Sequence, residues 1–246
     1  MAVSKQLSDF YNYLHSELAP PHLSKLIKEA TAEHKRNFDP STAIQVDSHF
    51  PNFELPNQNG SLVSLKSLLT SGPVLITFYR GQVINMFHFY PIISFFLSFV
   101  VNLHKNWCPF CNIALNGLQK ELHAFRDAGV QLIAITPELP DISLSTVQKN
   151  GLEFAVLSDV DNSLARQLGI VFVEPPNHSE VFEHIGFDYK KAYGPEAAKR
   201  GLGVPIPATF LLDREGIVKQ RYIEPNFHER LEPNVALEWI KTMNLQ

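Results

Sequence analysis

The strongest constraint on the fold is a series of short apolar runs, each too brief for a buried helix and each ended by a turn residue. Pro73 to Tyr79, Val130 to Thr136, Phe154 to Asp159 and Ala208 to Asp213 are rich in Val, Ile, Leu and Phe, and Ile217-Val-Lys-Gln-Arg-Tyr-Ile223 is a more polar run with apolar ends. Runs of this kind read as strands, and the most continuous of them as strands covered on both faces of a sheet. Between them lie stretches with helical spacing. Cys111 to about Ala128 repeats Ile113, Leu115, Leu118, Leu122 and Phe125 and stops at Gly129, Ser143 to Asn150 is closed by Gly151, Asn162 to Leu168 is a short helix, and Val235 to Met243 is the last. Asp213-Arg-Glu-Gly216 is a turn signature that folds the final two runs into an antiparallel hairpin. Upstream, Asn52 to Leu55 and Leu62 to Leu65 flank Asn57 to Gly60, a hairpin leading into a short helix. The order β, α, β, α, β, β, α predicts an α/β fold, a central mixed sheet flanked by helices.

The N-terminal part is different. From Ser4 to about Arg36, Leu7, Phe10, Tyr11 and Leu14, then Leu23, Leu26, Ile27 and Ala30, recur at helical spacing, and Pro20-Pro21 divides the run into two helices. Residues 1–43 are therefore read as a helical extension and 44–246 as the α/β domain. Val173 to Gly203 is a polar, proline-containing excursion from that domain, and its Glu174 to Arg200 part is read as a solvated connector, with the shaping of a substrate mouth as the alternative. A formal net charge of -4 offers no basic face, which argues against nucleic acid or an anionic membrane as partner. The polar N-terminus lacks the apolar core of a secretory signal, so the expected location is cytoplasmic.

The two cysteines lie in Trp107-Cys108-Pro109-Phe110-Cys111, where a strand should hand over to a helix. A Cys at a helix N-terminus meets unsatisfied N–H groups and the positive end of the helix dipole, which pull its pKa below about 8.5. Pro109 suits the first turn, where its missing N–H costs nothing. Cys111 lies one turn on, within disulfide reach, so the pair reads as attacker and resolver. A zinc half-site is the weaker alternative, since no second C-x-x-C or His pair at finger spacing accompanies it, and a chance pair of core cysteines is another. Val204-Pro-Ile-Pro207-Ala-Thr209 places a proline directly before a strand, where a cis-proline loop commonly packs against such a disulfide.

His49-Phe-Pro-Asn-Phe-Glu-Leu-Pro-Asn-Gln-Asn-Gly60, Phe78-Tyr79-Arg80-Gly81, the Trp107 to Asn112 motif and Pro207-Ala-Thr-Phe-Leu-Leu-Asp-Arg-Glu-Gly216 together resemble the peroxiredoxin-like branch (alkyl hydroperoxide reductase and thiol-specific antioxidant) of the thioredoxin fold. The resemblance runs from roughly Val46 onward. It implies a thioredoxin-like fold and a thiol peroxidase in which the Cys108 thiolate attacks the hydroperoxide and becomes a sulfenic acid. Cys111 would condense with it, and thioredoxin or another dithiol would reduce the disulfide. It implies no cofactor and no metal, supporting roles for Pro207, Trp107 and Thr209, and an activating arginine for which Arg80, Arg214 and Arg221 are the candidates, Arg80 foremost. A homodimer is compatible with it. One departure stands out: the position three residues before Cys108, where family members carry Thr or Ser, holds Lys105, and Trp107 precedes the cysteine as in thioredoxin-type thiol–disulfide oxidoreductases. Such an oxidoreductase without peroxide preference is therefore the alternative activity, and a non-enzymatic redox switch or a membrane-associated protein the alternative outside enzymes.

Between Arg80-Gly81 and Trp107 the expected fold allows only a few residues, yet Val83 to Lys105 intervenes, with Phe87, Phe89, Phe95, Phe96 and Phe99 and no charge before its last residue. As a membrane anchor its apolar run is short and holds His88 and Pro91. As an insertion it enters a turn that is ordinarily brief. The favoured reading is a translated intron: pyrimidine-rich sequence encodes Phe, Leu, Ser and Ile, a Val codon supplies a donor GT at Val83, and a Lys codon an acceptor AG at Lys105. Sequencing cDNA across the junction is expected to show transcripts joining Gln82 to Asn106; retention of the segment in every transcript would exclude the reading.

Overall fold

The computed structural model describes residues 1–81, 108–174, 188–195 and 203–244. The apolar segment 83–105, Lys105 and Trp107 lie outside the described residues, as does most of the 173–203 excursion. The described chain runs α1 (Val3–Tyr13), α2 (Pro21–Asn37), β1 (Glu54–Pro56), β2 (Leu62–Ser64), α3 (Leu65–Ser71), β3 (Val74–Phe78), α4 (Pro109–Lys120), α5 (Leu122–Asp127), β4 (Gln131–Thr136), α6 (Pro140–Asn150), β5 (Ala155–Ser158), α7 (Ser163–Gln167), β6 (Val171–Val173), α8 (Tyr189–Tyr193), β7 (Gly203–Pro205), β8 (Ala208–Leu212), β9 (Val218–Ile223) and α9 (Pro233–Asn244).

The five longer runs form one mixed sheet in the order β5-β4-β3-β8-β9, with β3, β4 and β5 parallel and β8 antiparallel to both of its neighbours. β3 is the centre, buried at every position and paired on both edges. Its side chains alternate between two cores: Val74, Ile76 and Phe78 join a cluster with Phe50, Phe53, Phe210 and Tyr193, whereas Leu75 and Tyr79 join one that contains both cysteines. This is the period of two that a doubly covered strand must show. One isolated bridge touches each edge among the described residues: His49 pairs with Ile217, directly before β9, and Asn57 with Leu157 on β5.

Three sequence expectations are corrected. The single helix expected from Cys111 to Ala128 is two, because the chain leaves helical geometry at Glu121 (φ -96°, ψ 5°). The excursion opens and closes with strands, β6 pairing β7 with Val171 opposite Pro205, a pairing too short to leave a periodic signal. The peptide bond before Pro207 is trans, as are all those among the described residues.

The first N-terminal helix docks on the sheet's cysteine side, whereas the end of α2 stacks His34 on Phe172 of the other cluster. Val3 and Leu7 are buried in the same cluster as Cys108, Phe110 and Cys111. Val3 fits only because α4 has a glycine beneath it: a Cβ on Gly117 would lie 2.4 Å from the Val3 Cγ2. Gly in a helix interior costs about 0.5–1 kcal/mol relative to Ala, and close approach of α1 is what it allows. Glu232, just before α9, accepts hydrogen bonds from the backbone N–H groups of Val3 (3.1 Å) and Ser4. Burial raises the Glu232 pKa, but the hydrogen bonds from Ser4 and Val3 and the N-terminal charge outweigh it and hold the group below its ordinary value. A π-helical turn, Leu14–Leu18, continues α1 and is tied to α2 by a 2.7 Å contact between His15 Nδ1 and Ser24 Oγ. Leu7→Ala is expected to destabilise the whole chain by about 2–4 kcal/mol, read by urea unfolding followed by far-UV circular dichroism; a loss below about 0.5 kcal/mol would show that α1 is a loose appendage.

Candidate active site

Cys108 and Cys111 are joined in a disulfide, with Cα atoms 5.2 Å apart, at the start of α4. Cys108 is the N-cap. Its Sγ accepts the Cys111 N–H at 3.2 Å, and its carbonyl accepts the N–H groups of Cys111 (2.9 Å) and Asn112 (3.2 Å), so the first turn of the helix closes on the cysteine itself. Asn112 adds its side-chain Nδ2, which donates to the Cys108 carbonyl at 3.2 Å. Its own Oδ1 accepts from Asn150 (2.7 Å), whose Oδ1 in turn accepts from Asn116 (3.0 Å). This amide chain clamps the cysteine turn to the end of α6.

The disulfide is nearly covered, Cys108 at 5% and Cys111 at 1% exposure. Phe110 between them meets Phe10 of α1 edge to face at 5.1 Å and Phe227, in the loop after β9, at 5.2 Å. His228 follows, its ring tilted by 31° to that of Tyr11 with centroids 3.9 Å apart. An aromatic roof built from the N-terminal extension and the 224–232 loop thus lies over the motif.

Of the three candidate arginines, Arg80 lies against the loop that carries Phe227. Arg80 leaves β3 into the site and is 7% exposed; its Nε donates to the Pro205 carbonyl at 3.4 Å, and its guanidinium lies 5.7 Å from the centre of the Phe227 ring, a cation–π arrangement. Its carbonyl accepts the Tyr193 hydroxyl from α8. Burial lowers the Arg80 pKa, with Glu174 and Tyr193 opposing. Gly81, at φ 114°, lets the chain turn away immediately: a Cβ there would sit 2.5 Å from the buried Glu138 side chain. Arg214 is exposed on the β8–β9 turn, and Arg221 is spent on the carbonyls of Ile44 (2.6 Å) and Pro40 (3.3 Å), so neither belongs to the site.

Thr209 faces Thr77 across the β3–β8 register, the two hydroxyls 3.2 Å apart, on the face that also presents Leu75 and Tyr79. Pro207 is buried between β7 and β8 and its carbonyl accepts the Glu224 N–H at 3.0 Å, which positions the start of the loop carrying Phe227. Trp107 lies outside the described residues. The residue that sequence reasoning missed is Arg230. Its Nη2 donates to Cys111 Sγ at 3.6 Å, and its Nη1 donates to the carbonyls of Phe227 and Glu229 (2.7 Å). The one available cue was an arginine set among Phe227, His228 and prolines in an otherwise connector-like stretch.

Among the described residues no group of three or more His, Cys, Asp or Glu is placed to hold a metal ion, and no helix is long and apolar enough to cross a membrane. A buried disulfide at a helix N-terminus, a guanidinium, that of Arg230, on one of its sulfurs and a five-stranded mixed sheet are the features of a thiol–disulfide redox protein of thioredoxin fold. The comparisons with known proteins narrow this class. The model of the AhpC/TSA family matches residues 98–221, just over half of the chain and including both cysteines, and the chain belongs to that family. Peroxiredoxin Bcp of Escherichia coli K12 is 28% identical over 191 residues, covering 78% of this chain and 92% of that protein, and the putative peroxiredoxin bcp of Coxiella burnetii is 26% identical over 72% of this chain and 86% of that protein. Among solved structures, the peroxidoxin BcpB of Mycobacterium tuberculosis superposes with a TM-score of 0.55 at 16% identity, over 81% of this chain and 98% of that one. A reduced 2-Cys peroxiredoxin of Plasmodium vivax gives 0.53 at 17% identity, over 82% and 83%.

His15 and His228 both have lowered pKa values, His228 through burial first and then Arg230 and His15 against the pull of Glu229, His15 through burial and Lys28. A histidine whose folded pKa lies below its unfolded value contributes stability above the unfolded value, about 6.5, that is lost as pH falls through the folded one. The urea midpoint is therefore expected to fall as pH is lowered below about 6.5, and His228→Phe, which keeps the aromatic contacts, is expected to flatten that fall. A midpoint that declines equally in both proteins would remove His228 from the account.

Proposed function

We propose that the chain is a thiol-dependent peroxidase that reduces hydrogen peroxide or an organic hydroperoxide with Cys108 as attacker and Cys111 as resolver. The observation that supports it most is the Cys108–Cys111 disulfide at the N-terminus of α4 in a chain of the AhpC/TSA family. In the reduced protein the Cys111 N–H and the helix dipole hold Cys108 as thiolate. The thiolate attacks one peroxide oxygen and the O–O bond breaks. The departing alkoxide or hydroxide takes a proton and leaves as alcohol or water, and Cys108 carries the oxygen as a sulfenic acid. The Cys111 thiolate then attacks that sulfur and expels hydroxide, which leaves as water, closing the disulfide. The two electrons that reduce the peroxide come one from each sulfur. A dithiol such as thioredoxin returns the pair to thiols by exchange, becoming a disulfide itself.

Arg80 supports the first step by placing a fixed positive charge at the end of β3, where negative charge develops on the departing oxygen. Residues 1–43 act as an arm that completes the site of the 44–246 domain, since Phe10 and Tyr11 help roof the cysteines. One observation favours a second reading. Two cysteines in a single helical turn are the arrangement of a general thiol–disulfide exchanger, which would act on protein disulfides without peroxide preference.

Stopped-flow peroxide consumption with thioredoxin as reductant separates the two readings. Wild-type protein is expected to turn over, Cys108→Ser to lose turnover entirely, and Cys111→Ser to consume one equivalent and stop. Arg80→Met is expected to slow the peroxide step about tenfold. Full turnover by Cys108→Ser would reverse the assignment of the sulfurs, and reduction of a protein disulfide with no peroxide consumption would select the second reading.

A further inference from the structure

We propose that Arg230 is the cation that keeps Cys111 a thiolate when the pair is reduced, and thereby makes Cys111 the departing sulfur when an external thiol opens the disulfide. The proposal rests on the redox reading of the pair given above. It starts from an asymmetry between the two sulfurs. Cys108 has the helix N-terminus, its Sγ accepting the Cys111 N–H at 3.2 Å. Cys111 is one turn further in, 1% exposed and surrounded by an apolar cluster that includes Phe110 and Leu115. A thiol buried in such surroundings is held protonated unless a cation stands beside it.

Arg230 is that cation. Nη2 donates to Cys111 Sγ at 3.6 Å, while Nη1 is anchored on the carbonyls of Phe227 and Glu229. Its Nε is buried with no hydrogen-bond partner among the described residues, so the guanidinium is not saturated by neutral acceptors. Around this contact stand Arg80 at the end of β3, Tyr222 on β9, Glu229 and His228 in the same loop, and His15 from the N-terminal helices. Burial first, and then the charge of Arg80, push the Arg230 pKa down to about 9, with Tyr222 opposing; the group remains charged at neutral pH and gains from an adjacent anion.

The consequence for exchange is directional. An incoming thiolate attacks the Cys108 Sγ, a new S–S bond forms there, the Cys108–Cys111 bond breaks, and its electron pair leaves on Cys111 as thiolate. Charge is conserved and no proton moves in that step. The sulfur with the lower pKa departs faster, and Arg230 lowers the pKa of Cys111. The same charge readies Cys111 to attack the sulfenic acid in the opposite half of the cycle.

The test is iodoacetamide alkylation of Cys111 in reduced Cys108→Ser protein, followed by mass spectrometry from pH ~5 to ~10. Adding Arg230→Met is expected to move the alkylation midpoint upward and to slow alkylation at neutral pH about tenfold or more. Arg230→Lys is expected to recover most of the rate, because a point charge serves a thiolate without the bidentate fork. An unmoved midpoint in the Met variant, or identical Met and Lys profiles, would overturn the proposal by reducing Arg230 to a packing role. Should the Met variant not fold, Arg230→Gln takes its place with the same two outcomes. Alkylation uses no peroxide, so a protein without peroxidase turnover still reveals whether Arg230 sets the charge state of Cys111.

Discussion

The burial of β3 on both faces and its pairing on both edges is the constraint from which the site follows. A strand held from four sides has one end that cannot drift, and the residues just beyond Phe78 inherit that rigidity. Arg80 is placed by it, gripped at its side chain by the Pro205 carbonyl and at its backbone by Tyr193. Tyr79 and Leu75 point from it into the cluster on which α4 lies, so the helix that carries the cysteines is seated on the same strand. A flexible support would let the sulfurs and the guanidinium groups separate, and both helix-terminus and ion-pair effects fall steeply with distance.

Onto this frame the molecule brings charge from two independent directions. One guanidinium arrives from the sheet and the other from the loop between β9 and α9, and the two are close enough that Arg80 depresses the pKa of Arg230. Two buried like charges are unfavourable unless something negative is meant to sit between them. Glu174 offsets Arg80, and on the Arg230 side the nearest reacting atom is Cys111 Sγ. The electrostatics therefore suit a pair that spends part of its cycle as thiolates, in line with peroxide reduction by thiols.

Much of the fold was legible because strands covered on both sides leave long apolar runs and because turn residues bound them. Val74–Phe78, Gln131–Thr136, Ala155–Ser158, Ala208–Leu212 and Val218–Ile223 all lie within the runs read as strands. The helix break at Glu121 left no trace, since Leu118, Leu122 and Phe125 keep helical spacing across it. The pairing of β6 with β7 escaped because it joins two three-residue segments across a long excursion. At the site, the cysteines and Arg80 announced themselves through local motif chemistry. Arg230 and Phe10 did not: each reaches the motif across about a hundred residues of chain or more, and a sequence holds no local record of such a contact.

The tie between α1 and Glu232 also bears on how the protein is made. Val3 and Glu232 are separated by 229 positions, and Arg230 lies two residues before that carboxylate. During synthesis α1 and the cysteine turn leave the ribosome long before the loop that roofs them, and contacts of such sequence separation form late. For that interval the two cysteines have Phe10 of α1 within the chain already made but lack Phe227, His228 and the Arg230 guanidinium. The surroundings that distinguish one sulfur from the other are therefore acquired only when the last loop and α9 are in place.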